Sequence, residues 1–491
     1  MRRNCAGEME TSERAGYLSG PFFFASFPAP ELHSGVIRAK VNLYLTGGKP
    51  MRPMQWINLL RLAADPKVTR VPVRVLAALR REGKRRLPEK VDREIAAGIP
   101  GLRTLRYAAR WLDGENLTRH NRQWVLNSFL PPFPSPAYER MFEAMLSGRR
   151  LSPVSAFLAV TAECRFNCVH CSAKGRPTAQ LSTGFWKSVI SQLLDLDVGI
   201  IGFTGGEPMM RDDLAELVKF AADGGGATIL FTSGSELTET RAAELKAAGL
   251  WALGLSLDHV DPAEFNRFRG HPDAFNLVTR AAKLAVRHQF YTMTCCVASP
   301  ELVKERMYEK IHALSAGLGV QELRIVEPMP CGRMRGADSG AFLTDAEIEL
   351  LRDFHRNMNR RGARPKVCAF NRIESPELFG CGGGTQHLYV DSAGEVCPCD
   401  FTPMSFGNLR REPLAAVWRR MNDALGEPRR DCFIRRHADA INAKVQQTGE
   451  YPLSPRHSCE LCREVGFGTL PDYFRMVTGR AITLSKTEPD S

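Results

Sequence analysis

At 491 residues, 44% hydrophobic and 24% charged, the chain has the composition of an ordinary folded protein and the length for two or three domains. No apolar run approaches the roughly 18 residues of a membrane span, and the start, MRRNCAGEMETSERAG, lacks the apolar core of a signal peptide. A secreted or membrane-spanning protein is therefore not expected, and a cytoplasmic one is.

The net charge of +12 is uneven: residues 61–110 hold 14 Lys and Arg against 5 Asp and Glu, which leaves only +3 for the rest of the chain. Such a segment can meet nucleic acid, an anionic membrane face or an acidic substrate. Few aromatic residues are interleaved with the charges, which argues against nucleic acid. Peripheral membrane contact through residues 61–110 stays open beside the plainer reading of a solvated helical face.

Residues 1–50 read as loosely ordered, with Pro and Gly clusters at Pro21, Pro28, Pro30 and Gly47-Gly48. Residues 55–150 read as helices, among them WINLLRLAAD, VPVRVLAALRREG and PAYERMFEAMLSG, with a break at Pro131, Pro132, Pro134 and Pro136. Residues 1–150 are thus expected to form a helical, basic N-terminal region.

From about 155 the pattern changes. Candidate strands at Phe157–Thr161, Val198–Thr204, Thr228–Thr232, Ala252–Leu257, Tyr291–Val297 and Glu322–Glu327 alternate with helical segments such as DDLAELVKFAAD, where Leu214, Leu217 and Phe220 would share one face. Alternation of this kind implies an α/β fold with a parallel sheet, whose functional groups gather at the C-terminal ends of the strands.

Two motifs stand at such ends. Cys164, Cys168 and Cys171, in AVTAECRFNCVHCSAKG, follow the first strand with the spacing C-x3-C-x2-C. Three thiolates without a fourth nearby can hold three irons of a [4Fe–4S] cluster and leave one iron open to a small molecule. Zinc completed by His170 is the weaker alternative, because adjacent residues rarely point at one metal. Thr204-Gly205-Gly206-Glu207-Pro208, in GIIGFTGGEPMMRDDL, follows the second strand. Glycines there would let a ligand approach the backbone closely.

Together, in this order, the two motifs resemble the radical S-adenosylmethionine (SAM) superfamily. The resemblance implies a partial (βα)6 TIM-like barrel over residues 151–370. It also implies a SAM-binding [4Fe–4S] cluster on Cys164, Cys168 and Cys171, and SAM contacts from Gly205, Gly206, Glu207 and Pro208. Thr232 and Ser233 end the third strand, and Ser256 and Asp258 end the fourth, in GLSLDHVDPAEFNRFRG; they are further candidate SAM contacts. His259 stands where the family often has Gly. Arg269-Gly270 matches a common family pair. Arg324 and Glu327, in LRIVEPMPCGR, end the sixth strand; they could reach SAM or substrate, with rim ion pairs as the first reading. Cys295 and Cys296 alternate on one strand and read as packed core thiols.

The fourteen cysteines concentrate in the central motif and after residue 330. ELFGCGGGTQHLYVDSAGEVCPCDFTPMSFGNLRREPLAAVW resembles the start of a SPASM/twitch extension. Its pattern C-x12-G-x4-C falls on Cys381, Gly394 and Cys399, and HLYVDSAGEVCPCD reads as a hairpin. The resemblance implies a small cysteine-rich α+β extension over 371–491 with one auxiliary [4Fe–4S] cluster. Its ligands are expected to be Cys381, Cys399, Cys459 and Cys462, with Cys397 and Cys432 as alternates; Cys331 and Cys368 rank lower. Zinc on the same residues is the alternative.

The activity so implied is reductive cleavage of SAM to a 5'-deoxyadenosyl radical, which takes a hydrogen atom from a substrate. A flavodoxin- or ferredoxin-type reductant would supply the electron. Maturation of a peptide or protein is the first expectation. A small molecule (a cofactor precursor, tetrapyrrole or lipid) is the second, and a non-catalytic iron–sulfur redox sensor is the third. The N-terminal region is too helical to suggest the winged-helix leader-recognition module of many peptide-modifying members.

Overall fold

The computed structural model describes residues 52–67, 111–146 and 154–478, all within one unit spanning Met51–Ser491. The expected helix at 71–83, most of the basic segment and the first fifty residues lie outside the described residues. Helix α1 (Pro53–Ala63) and α2 (Pro136–Leu146) form where helical periodicity is read, but between them lies a hairpin, β1 (Thr118–His120) and β2 (Gln123–Val125). Asn121 and Arg122 take positive φ values of 45° and 65° at its tip, as a two-residue hairpin turn requires.

The six expected strands form as β3 (Ser155–Thr161), β4 (Ile200–Gly205), β5 (Ala227–Thr232), β6 (Ala252–Ser256), β7 (Tyr291–Val297) and β8 (Glu322–Val326), each paired in parallel with the next. Between them run α3 (Thr183–Asp195), α4 (Leu214–Asp223), α5 (Glu239–Ala247), α6 (Pro262–Arg269), α7 (Ala274–Arg287), α8 (Pro300–Lys304) and α9 (Met307–Gly317). After α10 (Asp345–Arg360), two more strands extend the sheet. Strand β9 (Lys366–Ala369) pairs with β8, and, beyond α11 (Phe370–Ile373), β10 (His387–Val390) pairs with β3 at the opposite edge. The short β11 (Val396–Cys397) closes the expected hairpin against β10. Helices α12 (Leu414–Leu425), α13 (Phe433–Thr448), α14 (Pro455–Val465) and α15 (Asp472–Thr478) follow.

The α/β, partial-barrel expectation is borne out. Inward residues of β3 to β8 and of β10 line one cavity, so the sheet curves around an interior while its edge strands β9 and β11 stay unpaired with each other. The outer faces bury apolar helix stripes: Trp186, Val189, Ile190 and Leu193 of α3, and Leu214, Leu217, Val218 and Ala221 of α4. Phe220 does not join that stripe; it is 38% exposed and lies under the Lys187 ammonium. Inside, Gly202 gives room to a ring: a Cβ there would fall 2.4 Å from the Phe157 ring.

The base of the barrel is closed by the segment after β2. The buried Lys366 ammonium donates to the Val125 and Leu126 carbonyls at 2.6 and 3.1 Å. Ser128 Oγ donates to Glu322 Oε1 at 2.5 Å, and Tyr291 OH to Glu322 Oε2 at 2.8 Å. Burial pulls the Lys366 pKa down to about 8, against the pull of Glu322 and Glu115. These bonds carry Ser128 and Phe129 into the interior. Among the described residues no helix is long and apolar enough to cross a membrane.

Candidate active site

The loop after β3 carries Cys164, Cys168 and Cys171 along the wall of a cavity of about 700 Å³. Backbone bonds hold this loop on three sides. Asn167 N and Val169 N donate to the Arg269 and Phe268 carbonyls at the end of α6, both at 3.1 Å. Arg333 N donates to the Cys171 carbonyl at 3.0 Å. On the third side Gly206 N donates to Thr161 O at 2.8 Å and Glu207 N to Glu163 O at 2.6 Å.

The last pair explains the glycines. A Cβ on Gly205, at φ 135°, would fall 2.2 Å from Thr161 O, and one on Gly206 2.1 Å from Glu163 O. The close approach expected of a ligand is made first by the chain itself.

Glu207 is buried, and its carboxylate accepts from Thr232 Oγ1 (2.6 Å), Ser233 N (2.8 Å), Ser233 Oγ (2.5 Å) and Met209 N (3.2 Å). Burial pushes its pKa up and these bonds oppose the rise. It therefore brackets the ends of β4 and β5 together. Gly205, Gly206, Glu207, Thr232, Ser233 and Ser256 all line the cavity. Pro208 is buried at the start of a single 3-10 turn and does not line it.

Asp258 is also off the wall. One oxygen accepts from Val297 N at 2.8 Å and the other pairs with Arg269 Nη2 at 2.5 Å. Arg269 Nη1 in turn lies 3.7 Å from Cys168 Sγ. Asp258 thus positions a guanidinium beside a thiol instead of facing the cavity. Burial pushes Cys164 up to about 11 and raises Cys168, where Arg269 pulls the other way. His170 stacks on Phe268 at 4.6 Å, and burial followed by the Arg269 charge draws it down to about 4, so it is neutral at pH 7. His259 is half-buried in the loop after β6, its Nδ1 accepting from Asp261 N, and does not line the cavity.

Cys381, Cys399 and Cys432 line the same cavity. Cys381 and Cys432 share a hydrogen bond that favours a Cys381 thiolate, while burial pushes Cys399 up. Glu374 lines the cavity near Cys381, its carboxyl raised by burial. Cys397 is buried off the wall, accepting from Arg176 Nη1 at 3.3 Å. Cys459 and Cys462 both sit on α14, also off the wall, and the Arg429 charge acts on both Cys462 and Cys381. The cavity wall therefore groups Cys432 with Cys381 and Cys399, while the C-x2-C pair does not line it.

A model of the radical SAM superfamily matches residues 158–314, and a model of the SPASM iron–sulfur cluster-binding domain matches residues 381–441. The chain belongs to the radical SAM superfamily. It is 28% identical over 284 residues to the AdoMet-dependent heme synthase of Methanosarcina barkeri, covering 53% of this chain and 80% of that protein. It is 27% identical over 330 residues to the PqqA peptide cyclase of Bradyrhizobium diazoefficiens, covering 64% of this chain and 80% of that protein. A solved structure, Streptococcus suis SuiB bound to the precursor peptide SuiA, aligns with a TM-score of 0.47 at 15% identity over 57% of this chain and 68% of that one.

As a radical SAM protein with a SPASM segment, the chain is an enzyme that uses SAM, a [4Fe–4S] cluster and auxiliary iron–sulfur chemistry. The donor sets fit these groups: three thiols on one loop face the cavity beside a cation, and three more face it from the SPASM side. Among the described residues no three His, Cys, Asp or Glu side chains are already drawn to metal-bonding distance.

Sequence reasoning missed several wall residues. Cys295, read as a core thiol, faces the cavity, while Cys296 packs in the outer core. Phe129 enters from the N-terminal region, and His387 and Tyr389 enter from β10. The period-2 alternation of HLYV was the available signal for the last two.

Proposed function

We propose that the protein is a radical SAM enzyme that acts on a small molecule held inside the barrel, between a SAM-binding cluster and an auxiliary cluster. The observation that carries this reading is the single cavity reaching from Cys164, Cys168 and Cys171 to Cys381, Cys399 and Cys432. Its volume of about 700 Å³ falls within the ~300–1,000 Å³ of small-molecule and cofactor sites. Its base is closed by residues 125–129, and its middle is aromatic: Phe157 lies 5.1 Å from Phe231 and 4.8 Å from His387 between ring centroids. The heme synthase relatives support the same substrate class.

A [4Fe–4S] cluster held by Cys164, Cys168 and Cys171, with SAM, would supply reductive cleavage of the sulfonium and hydrogen abstraction from the substrate. The chain's own residues do the rest. Cys164, Cys168 and Cys171 are the ligands of the first cluster. Gly205 and Gly206 keep the cysteine loop seated, and Glu207 holds Thr232 and Ser233 at the rim. Ser256 faces SAM, and Arg269, positioned by Asp258, offsets negative charge at Cys168. Cys381, Cys399 and Cys432 are the cavity-side ligands of one auxiliary cluster, with Cys459 and Cys462 as the competing set. The closed base and aromatic wall exclude water from the radical. A one-electron donor of the flavodoxin or ferredoxin type completes the system.

Action on a peptide is the second reading, favoured by the PqqA peptide cyclase relatives. Membership in an enzyme superfamily leaves the redox-sensor reading without support. The test is deuterium transfer into 5'-deoxyadenosine from an extract of cells grown in deuterated medium. Label delivered by the small-molecule fraction is the expected result. Label delivered only by the peptide and protein fraction would replace the first reading with the second.

A further inference from the structure

Arg324 sits in the middle of β8 with its neighbours Cys295 and Cys368 in register on either side. It faces the cavity and is 5% exposed. Among the described residues no Asp or Glu oxygen lies within salt-bridge distance of it, whereas Arg269 holds Asp258 at 2.5 Å and Arg176 approaches Asp391 at 4.0 Å. Its one hydrogen bond to a described residue runs from Nη1 to Ser128 Oγ at 3.2 Å. That hydroxyl already donates to Glu322, whose other oxygen takes the Tyr291 hydroxyl. Glu322 thus meets the guanidinium only through a hydroxyl relay, and Asp400 feels the charge without touching it.

A guanidinium has five donors in a planar fork suited to a carboxylate. Here the plane is gripped from the side by rings, Phe129 at 3.9 Å and Phe231 at 5.2 Å from its carbon, which offset part of the cost of burying it. A buried cation left without an anion is costly to keep, and the cavity is where an anion can reach it. His387, held through Nδ1 by Ser155 at 2.8 Å, also lines this cavity beside Phe157.

We propose that Arg324 binds a carboxylate of the substrate at mid-depth in the barrel, so that the substrate is an acid whose apolar, flat body packs against Phe129, Phe157 and Phe231. The inference rests on the reading that this cavity holds the substrate. The same chemistry has a second source, the methionyl carboxylate of SAM. Substrate is favoured because the cysteine loop and Arg269 gather at the strand ends, whereas Arg324 touches Ser128 and Phe129 of the segment that closes the base.

The test uses the anaerobically reconstituted full chain and two probes of one shape, 3-phenylpropionate and 3-phenylpropanamide, titrated by calorimetry. Wild type should bind the acid at about millimolar Kd, as a fragment of this size allows, and the amide at least about tenfold more weakly. Arg324→Gln should lose at least about tenfold in affinity for the acid while SAM affinity and iron content hold, and Arg324→Lys should retain part of it. Four results overturn the proposal: equal binding of acid and amide by wild type, no binding of either, an unchanged acid affinity in Arg324→Gln, or a SAM affinity that falls tenfold in that variant. The acid–amide comparison needs no variant and so survives misfolding of Arg324→Gln. Formation of 5'-deoxyadenosine by wild type, measured in the same samples, reports separately on the radical reading.

Discussion

Gly206→Ala separates two roles for the glycine motif. The added methyl would sit 2.1 Å from Glu163 O and 2.6 Å from Ala162 O, against the 3.0 Å that real contacts respect. The cysteine loop must therefore retreat by about 0.9 Å, and the 2.6 Å bond from Glu207 N to Glu163 O lengthens past use. Overpacking costs about 1–3 kcal/mol and the lost bond about 1 kcal/mol, so the variant should be about 2–4 kcal/mol less stable. With unfolding entropies of about 2.1 cal/mol/K per residue, that is a fall of about 2–4 °C in Tm for a chain this long. The assay is paired: Tm of the cluster-free protein, then iron content and SAM affinity after reconstitution. All three should fall. If SAM affinity falls while the cluster-free Tm holds, the glycine serves only the ligand's approach and the reasoning from chain contact fails.

Glu207→Gln replaces an acceptor of four hydrogen bonds by an amide that must point NH2 at a donor; SAM affinity should fall about tenfold or more, and an unchanged titration would show that the β4–β5 bracket does not matter. Cys432→Ser should remove about four irons per chain and Cys459→Ser none; the reverse would assign the auxiliary cluster to the α14 pair. Lys366 carries a pH signature. Its folded pKa lies below its unfolded value, so the unfolded state binds the extra proton and stability rises with pH from about 8 to about 10.5. Between pH 8 and 10 this group adds about 2 kcal/mol of stability, so Lys366→Met should lack that increment relative to wild type in urea melts; parallel pH curves would contradict it.

The six central strands were legible because each is an apolar run ended by turn residues. What the local pattern does not carry is the partner. HLYV reads as half of a hairpin, and nothing near it shows that Leu388 pairs with Ala156 more than 200 residues earlier. The Asn121-Arg122 hairpin was lost among helical segments because its strands are three residues each. Side-chain direction was lost where strand alternation ends. Ser256 faces the cavity as read, while Asp258, two residues on and past the end of β6, turns to Arg269. For the same reason Glu207 could be seen as essential but not as a bracket. The helical spacing of DDLAELVKFAAD gave Leu214 and Leu217 correctly and misplaced Phe220, because the buried stripe runs through Val218 and Ala221.

The measurement that bears most directly on the account is SAM cleavage by wild type and by the variant with Cys164, Cys168 and Cys171 all changed to Ala, both reconstituted without oxygen and reduced with dithionite. Wild type should release 5'-deoxyadenosine and methionine. The triple variant should release none while keeping about four irons per chain at the auxiliary site. 5'-Deoxyadenosine from the triple variant, or none from wild type, would contradict the claim that these three thiols carry the reaction.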